Sequence, residues 1–169
     1  MKKVLVLLMC VFLLAGCKEK ETFAENTTCE DIMQAAITAT KAPEYDNIYR
    51  MKDNSFNSTD MSLWANGLYE ESKDFDLISD CAIYLAAGNI TYEVGVIKPK
   101  NAEDLGLIVE IFENRKKTIS GSNKAAYDPD FSNILNDCKI YVDDGFAIML
   151  LTNDNTSAKK EIDKLKSAN

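Results

Sequence analysis

The sequence predicts an α+β fold: an antiparallel sheet of two β-hairpins packed against helices in two layers, in the order α-ββ-α-ββ-α. Three observations predict it. Two pairs of strand-like runs are each split by a dipeptide suited to a two-residue hairpin, Gly88-Asn89 and Asp144-Gly145. The pentapeptide Asp80-Cys81-Ala82-Ile83-Tyr84 opens the first pair and recurs, one residue changed, as Asp137-Cys138-Lys139-Ile140-Tyr141 at the start of the second. Apolar residues at helical spacing precede the first hairpin and follow each one.

The chain starts with a leader. Lys2-Lys3 stands before the apolar run Val4–Leu14, which has the length of a signal h-region and is too short to cross a bilayer. Leu14-Ala15-Gly16-Cys17 closes it and resembles the lipobox of bacterial lipoproteins, in which the cysteine thiol carries diacylglycerol and the chain is cut just before it. The expectation is a cleaved signal over 1–16, lipidation at Cys17 and a lipid anchor with flexible tether over 17–28. A single globular domain over 29–169 should follow. Each buried methylene contributes about 0.8 kcal/mol, so a diacylglycerol holds firmly where one acyl chain holds marginally. The resemblance implies attachment at the outer face of the bacterial cytoplasmic membrane.

Lys18–Thr28 is charged and lacks periodicity, the composition of a linker. Thr28-Cys29-Glu30-Asp31 has capping-box form with Asp in place of Glu, and leads into Ile32, Met33, Ala36 and Ile37 at helical spacing. Pro43 should end that helix. Residues 44–79 are the least readable: aromatic residues alternate with turn formers, and Ser62–Ser72 is a candidate short helix. Asn101 is placed to cap the helix after the first hairpin. Leu105, Ile108, Val109 and Phe112 form its buried face, and Arg115-Lys116-Lys117 suit the dipole at its end. Thr156 or Ser157 is placed to cap the last helix, with Ala158, Ile162 and Leu165 inward. If helices cover one sheet face, Cys81, Ile83, Leu85, Ile140 and Val142 point to the core and Tyr84 and Tyr141 away. If both faces are covered the allocation can reverse, because Phe146–Leu151 is apolar at nearly every position.

Composition excludes several functions. The chain has 19 basic and 27 acidic residues and no histidine, for a net charge of −8. Loss of Lys2 and Lys3 with the leader leaves 17 basic residues against 27 acidic, a net −10. Such acidity argues against nucleic acid. Lack of histidine removes the usual neutral-pH base, the Ser-His and Cys-His nucleophile pairs and the commonest metal ligand. The carboxylate pairs Asp74/Asp76, Asp128/Asp130 and Asp143/Asp144 sit in turn-like segments and read as caps rather than catalytic groups.

Calcium candidates are Asp53–Asp60 and Asn153–Thr156. In the first, Ser58 and Trp64 stand where an EF-hand needs Gly and Glu. Cys29, Cys81 and Cys138 remain once Cys17 is acylated, an odd number that leaves at least one unpaired within the monomer, and Cys81 and Cys138 read as small buried hydrophobes. A Cys81–Cys138 bridge is an option only if their strands are neighbours, with the Cα atoms within about 7 Å. No catalytic residue, metal ligand or cofactor is assigned.

The stretch Ile90-Thr91-Tyr92-Glu93-Val94-Gly95-Val96-Ile97-Lys98 runs into the helix from Asn101, which ends in Arg115-Lys116-Lys117. Tyr127-Asp128-Pro129, then Gly145-Phe146-Ala147 and the C-terminal helix, follow in order. On these features, residues from about Cys29 to Leu165 resemble an uncharacterised domain found in lipoproteins of Gram-positive, clostridia-like bacteria. The resemblance implies the anchor and the architecture and carries over no catalytic residue. The function expected is a non-enzymatic binding or assembly module with an envelope protein as partner. The alternatives are a transporter-associated receptor for a small ligand or ion, and a carboxylate-based hydrolase.

Overall fold

The computed structural model describes residues 21–51, 55–68 and 70–168. The signal, the lipidation residue Cys17 and part of the Asp53–Asp60 loop lie outside them. The described elements are β1 (Glu21–Phe23), α1 (Cys29–Ala39), β2 (Tyr45–Arg50), α2 (Ser58–Asn66), β3 (Ile78–Ala86) and β4 (Glu93–Pro99). They continue with α3 (Leu105–Ser120), α4 (Phe131–Asp137), β5 (Lys139–Asp143), β6 (Phe146–Leu151), α5 (Asn155–Asp163) and β7 (Lys166–Ala168).

Strands β2-β3-β4-β6-β5 form one antiparallel sheet, in that spatial order. The two expected hairpins therefore pair through β4 and β6, and the α+β class holds. The segment 44–79 adds what the sequence left open, an edge strand and a helix. The helix runs over Ser58–Asn66 rather than Ser62–Ser72 because Asn57 and Asp60 form a reciprocal cap at its start. Gly67, at φ 71°, stops it in the left-handed conformation that glycine adopts without strain.

The local signals fare unevenly. Thr28 and Asp31 make the expected capping box on α1, and the helix stops at Thr40, ahead of Pro43. Asp144 and Gly145, at φ 46° and 84°, form the expected two-residue turn, closing on the pair Asp143/Phe146. Gly88-Asn89 does not form one. Leu85 pairs with Glu93, and the intervening loop is held from outside: Asp128 accepts from Thr91 N at 2.6 Å and Lys124 Nζ donates to Ile90 O at 2.8 Å. A 3₁₀ turn over Ala102–Asp104 precedes α3, and Asn101 donates to the Asp104 carboxylate instead of accepting from the helix. The cap of α5 is Asp154, accepting from Ser157 N at 2.9 Å, not Thr156 or Ser157.

Residues assigned to the tether enter the body. β1 pairs with β7, Phe23 is buried, and Phe23 N donates to the Asp144 carboxylate at 2.8 Å. Residues 21–23 thus belong to the folded body ahead of the expected start at 29, with the Phe23 ring 5.4 Å from that of Phe146 between centroids.

Helices lie on both sheet faces, and each face by itself is the helix-on-sheet packing expected. On one, α1 and α5 cover Ala82, Tyr84, Val94, Val96, Ile148 and Leu150. On the other, α2, α3 and α4 cover Cys81, Ile83, Ile97, Ala147 and Met149. The continuous apolar run of β6 follows directly, since all six of its residues are buried. Tyr84 and Tyr141 share one face and Ile83 and Ile140 the other, so the pentapeptide echo keeps its sidedness. The helices after the two hairpins nonetheless go to opposite faces, so the units are not copies of one three-dimensional motif.

Candidate functional site

Among the described residues β5 is the last strand at its end of the sheet, bonded to β6 alone. A two-residue hairpin closes on a hydrogen-bonded pair, Asp143/Phe146, so by alternation Tyr141 and Lys139 also bond to β6. Ile140 and Val142 then turn their N–H and C=O outward. α3 packs against β5 on one face. On the other, α1 lies over β3 and β4 and α5 over β6, which leaves β5 without its own helix. The result is a groove of about 580 Å³ between β5 and α5.

Its floor is Tyr141 and Leu150, and its rim carries Lys139, Lys159, Lys160 and Asp163. These charges sum to +2 (three lysines, one aspartate) on a chain of net −8. Lys159 binds Asp163 at 3.1 Å and lies 5.2 Å from the Tyr141 ring centroid; Lys139 binds Asp137 at 3.0 Å. Lys160 is exposed and makes no ion pair among the described residues. The Tyr141 hydroxyl is buried with no hydrogen-bond partner among the described residues, and burial, with Asp143 and Asp163 nearby, raises its pKa. Val142, on the opposite face of the same strand, is 47% exposed. An apolar floor, a cationic rim and an open strand edge therefore coincide.

The other polar concentration is internal. Glu93 of β4 accepts from Trp64 Nε1 at 2.7 Å and from Arg115 Nη2 at 2.6 Å, with Arg115 Nε 3.0 Å from both carboxylate oxygens. Arg115 Nη1 donates to Trp64 O at 2.9 Å, and the guanidinium lies against the indole. The side chains of Glu93 and Arg115 are only 4% and 15% exposed. Arg115 is thus a half-buried clamp joining α2, α3 and β4, not the dipole-facing surface cation its sequence context suggests. The sequence did hold one signal: Glu93 shares strand parity with Gly95 and Ile97 on a covered face.

Asp74 and Asp76 are exposed in the 3₁₀ turn Lys73–Leu77. Asp128 accepts from Thr91 and Asp130 backbone N–H groups; burial opposes its charge, but these bonds outweigh it and hold its carboxyl below the usual range. Asp143 binds Lys166 at 2.6 Å while its neighbour Asp144 turns to Phe23. In the Asn153–Thr156 loop, Asp154 caps α5 and Asn155 Oδ1 accepts from Thr152. Among the described residues no group of three or more cysteine or carboxylate side chains is placed to hold a metal.

Cys29, Cys81 and Cys138 are buried. β4 and β6 lie between β3 and β5, so Cys81 and Cys138 cannot bridge. Burial pushes the Cys138 thiol up to about 11 and the Cys29 thiol well above its ordinary value. Among the described residues no helix is long and apolar enough to cross a membrane.

Residues 72–152 match a domain of unknown function, DUF4358. The span runs from the 3₁₀ turn before β3 to the residue after β6, taking in both hairpins, α3 and α4. It contains Glu93, Arg115 and the whole of β5, while β2, Trp64 and α5 lie outside it. No curated protein and no solved structure matches the chain.

Proposed function

We propose that this protein is a non-enzymatic binding or assembly module, held by diacylglycerol on Cys17 at the outer face of the bacterial cytoplasmic membrane. It docks an envelope protein through the groove beside β5. The single observation carrying the docking role is that groove's position on an unpaired strand edge, where main-chain groups and an apolar floor are offered together. The anchor rests on Leu14-Ala15-Gly16-Cys17 and its placement behind a short apolar run.

Two measurements test the two halves. Cells fed an alkyne-tagged palmitate should label the wild-type chain, and Cys17→Ser should lose the label and stay unprocessed. Unchanged processing of Cys17→Ser would end the lipoprotein reading. A photo-crosslinking residue at Thr156, on the groove wall, should join a specific envelope protein in intact cells, whereas one at Glu103, remote from the groove, should not. Equal labelling from both positions would remove the groove as the docking surface.

A small-ligand receptor is the second reading, favoured by the groove's volume of about 580 Å³, which falls within the usual range for small-molecule sites. Thermal-shift screening with metabolites and divalent ions discriminates, since a receptor should gain melting temperature with one chemical class.

A further inference from the structure

We propose that the occupant of the β5 groove is an extended acidic peptide segment, which adds to the free edge of β5 as a sixth strand. This deepens the docking role above and rests on it. Three features of the edge select such a partner.

The first is main-chain geometry. Ile140 and Val142 present N–H and C=O groups outward at the spacing of a strand ladder, and nothing in the described fold pairs with them. Edges left in this condition are the template for strand addition, in which backbone bonds give affinity and alternate side-chain pockets give selectivity.

Alternation supplies the second feature. Side chains at every other position of an added strand fall on the α5 face, over Tyr141 and Leu150, and the rest fall beside exposed Val142. One apolar residue seated on the floor would stack on the Tyr141 ring. Its flanking partners on that face, two positions away, reach toward the rim.

The third is charge. The rim offers Lys139, Lys159 and Lys160 against Asp163 on a protein that is otherwise strongly acidic. Lys160 has no anion to neutralise it among the described residues; Lys139 holds an exposed pair with Asp137, and Lys159, paired with Asp163 and 3.9 Å from the more buried Asp143, is itself exposed to a competing carboxylate. A basic or neutral strand would meet the same apolar floor but forfeit these contacts. The surrounding field would also attract a basic segment to many other places on the surface, so acidity gives selectivity for this one.

The test uses the full chain in detergent micelles and a fluorescein-labelled peptide, Ser-Glu-Val-Ile-Val-Glu-Ser. On one face it carries Glu, Ile and Glu; on the other it carries valines. Anisotropy should report saturable binding that weakens with added salt, while the same peptide with Lys for Glu should bind at least about tenfold more weakly. Lys160→Glu, on an exposed helix position, should weaken the acidic peptide about tenfold and strengthen the lysine peptide. Methylating the two valine nitrogens of the probe should abolish binding. So should Val142→Pro, a change tolerated on edge strands whose N–H faces outward.

Emission from Trp64 and the melting temperature check that Val142→Pro is folded; if it is not, Lys160→Glu and the methylated probe decide. Binding that ignores both methylation and Lys160→Glu would overturn the proposal. If the acidic peptide fails to bind while Thr156 still crosslinks a partner in cells, the peptide chemistry is wrong and the docking role stands. If neither occurs, both are wrong.

Discussion

Removing one member of the Glu93–Arg115 pair should cost far more than removing both. Arg115→Met leaves a carboxylate whose side chain is 4% exposed, with Trp64 Nε1 as its remaining donor and three of the four contacts to its oxygens gone. Glu93→Leu leaves a guanidinium 15% exposed, bonded among the described residues only to Trp64 O. Breaking a buried pair from one side typically costs about 3–5 kcal/mol, because the survivor keeps its charge without a counter-ion. The double variant Glu93→Leu/Arg115→Met has no orphaned charge, and hydrophobic replacement of buried pairs is often near neutral. Its loss should therefore fall short of the sum of the singles by about 2 kcal/mol or more. Urea unfolding followed by Trp64 fluorescence measures this directly, since Trp64 is the only tryptophan and lies within the cluster. Each single variant should also melt roughly 6–20 °C lower. If the three losses are additive, the pair contributes no coupling and the clamp linking α2, α3 and β4 is misread.

Two further outcomes follow from neighbouring contacts. A Cβ on Gly95 would sit 2.7 Å from Phe112 Cε1, inside the buried face under α3, so Gly95→Ala should lose about 1–3 kcal/mol in the same unfolding assay. Adding Phe112→Leu should recover part of that loss, whereas independent effects would sum. Asp128→Asn should destabilise at neutral pH. The Asp128 carboxyl is held below its unfolded value of about 3.9, so its contribution is present above that pH and disappears as pH falls through the folded value. Melting curves of the two proteins should converge below roughly pH 4; a gap that stays constant from pH 7 to pH 3 would assign the stabilisation to something other than the charge.

What the sequence disclosed was local. The Thr28/Asp31 box and the Asp144-Gly145 turn involve residues within three positions of each other, and their chemistry acts in any context. Gly88-Asn89 has comparable chemistry but failed, because Asp128 and Lys124, which hold that loop, arrive from more than thirty residues downstream. β2 was illegible for a related reason. Tyr45-Asp46-Asn47-Ile48-Tyr49-Arg50 lacks clean alternation, and its register is fixed by β3 rather than by its own pattern. Arg115 and Glu93 were both visible, but nothing local said they would meet. The groove was least legible of all, since it exists only because strand order puts β5 last and α5 stops over β6.

That order also explains why the two polar concentrations differ in kind. Glu93 lies in β4, at the middle of the five-stranded sheet, where a charge without partners would be expensive; accordingly it receives donors from two helices on the same face. At β5 the constraint relaxes, because one flank is open to water. There, among the described residues, the chain keeps a buried hydroxyl on Tyr141 without a hydrogen-bond partner, a cation at Lys160 without an ion pair and an exposed Val142 within one short strand and the helix beside it. Folding alone calls for none of these three, and shortness and flanking charge already protect the edge from indiscriminate pairing. The proposed partner, supplying main-chain bonds, an apolar side chain and carboxylates at once, would account for their placement together. An edge kept only for solubility would have replaced Val142 and Tyr141 with polar residues, so Val142→Thr should leave stability within about 0.5 kcal/mol while weakening the acidic peptide.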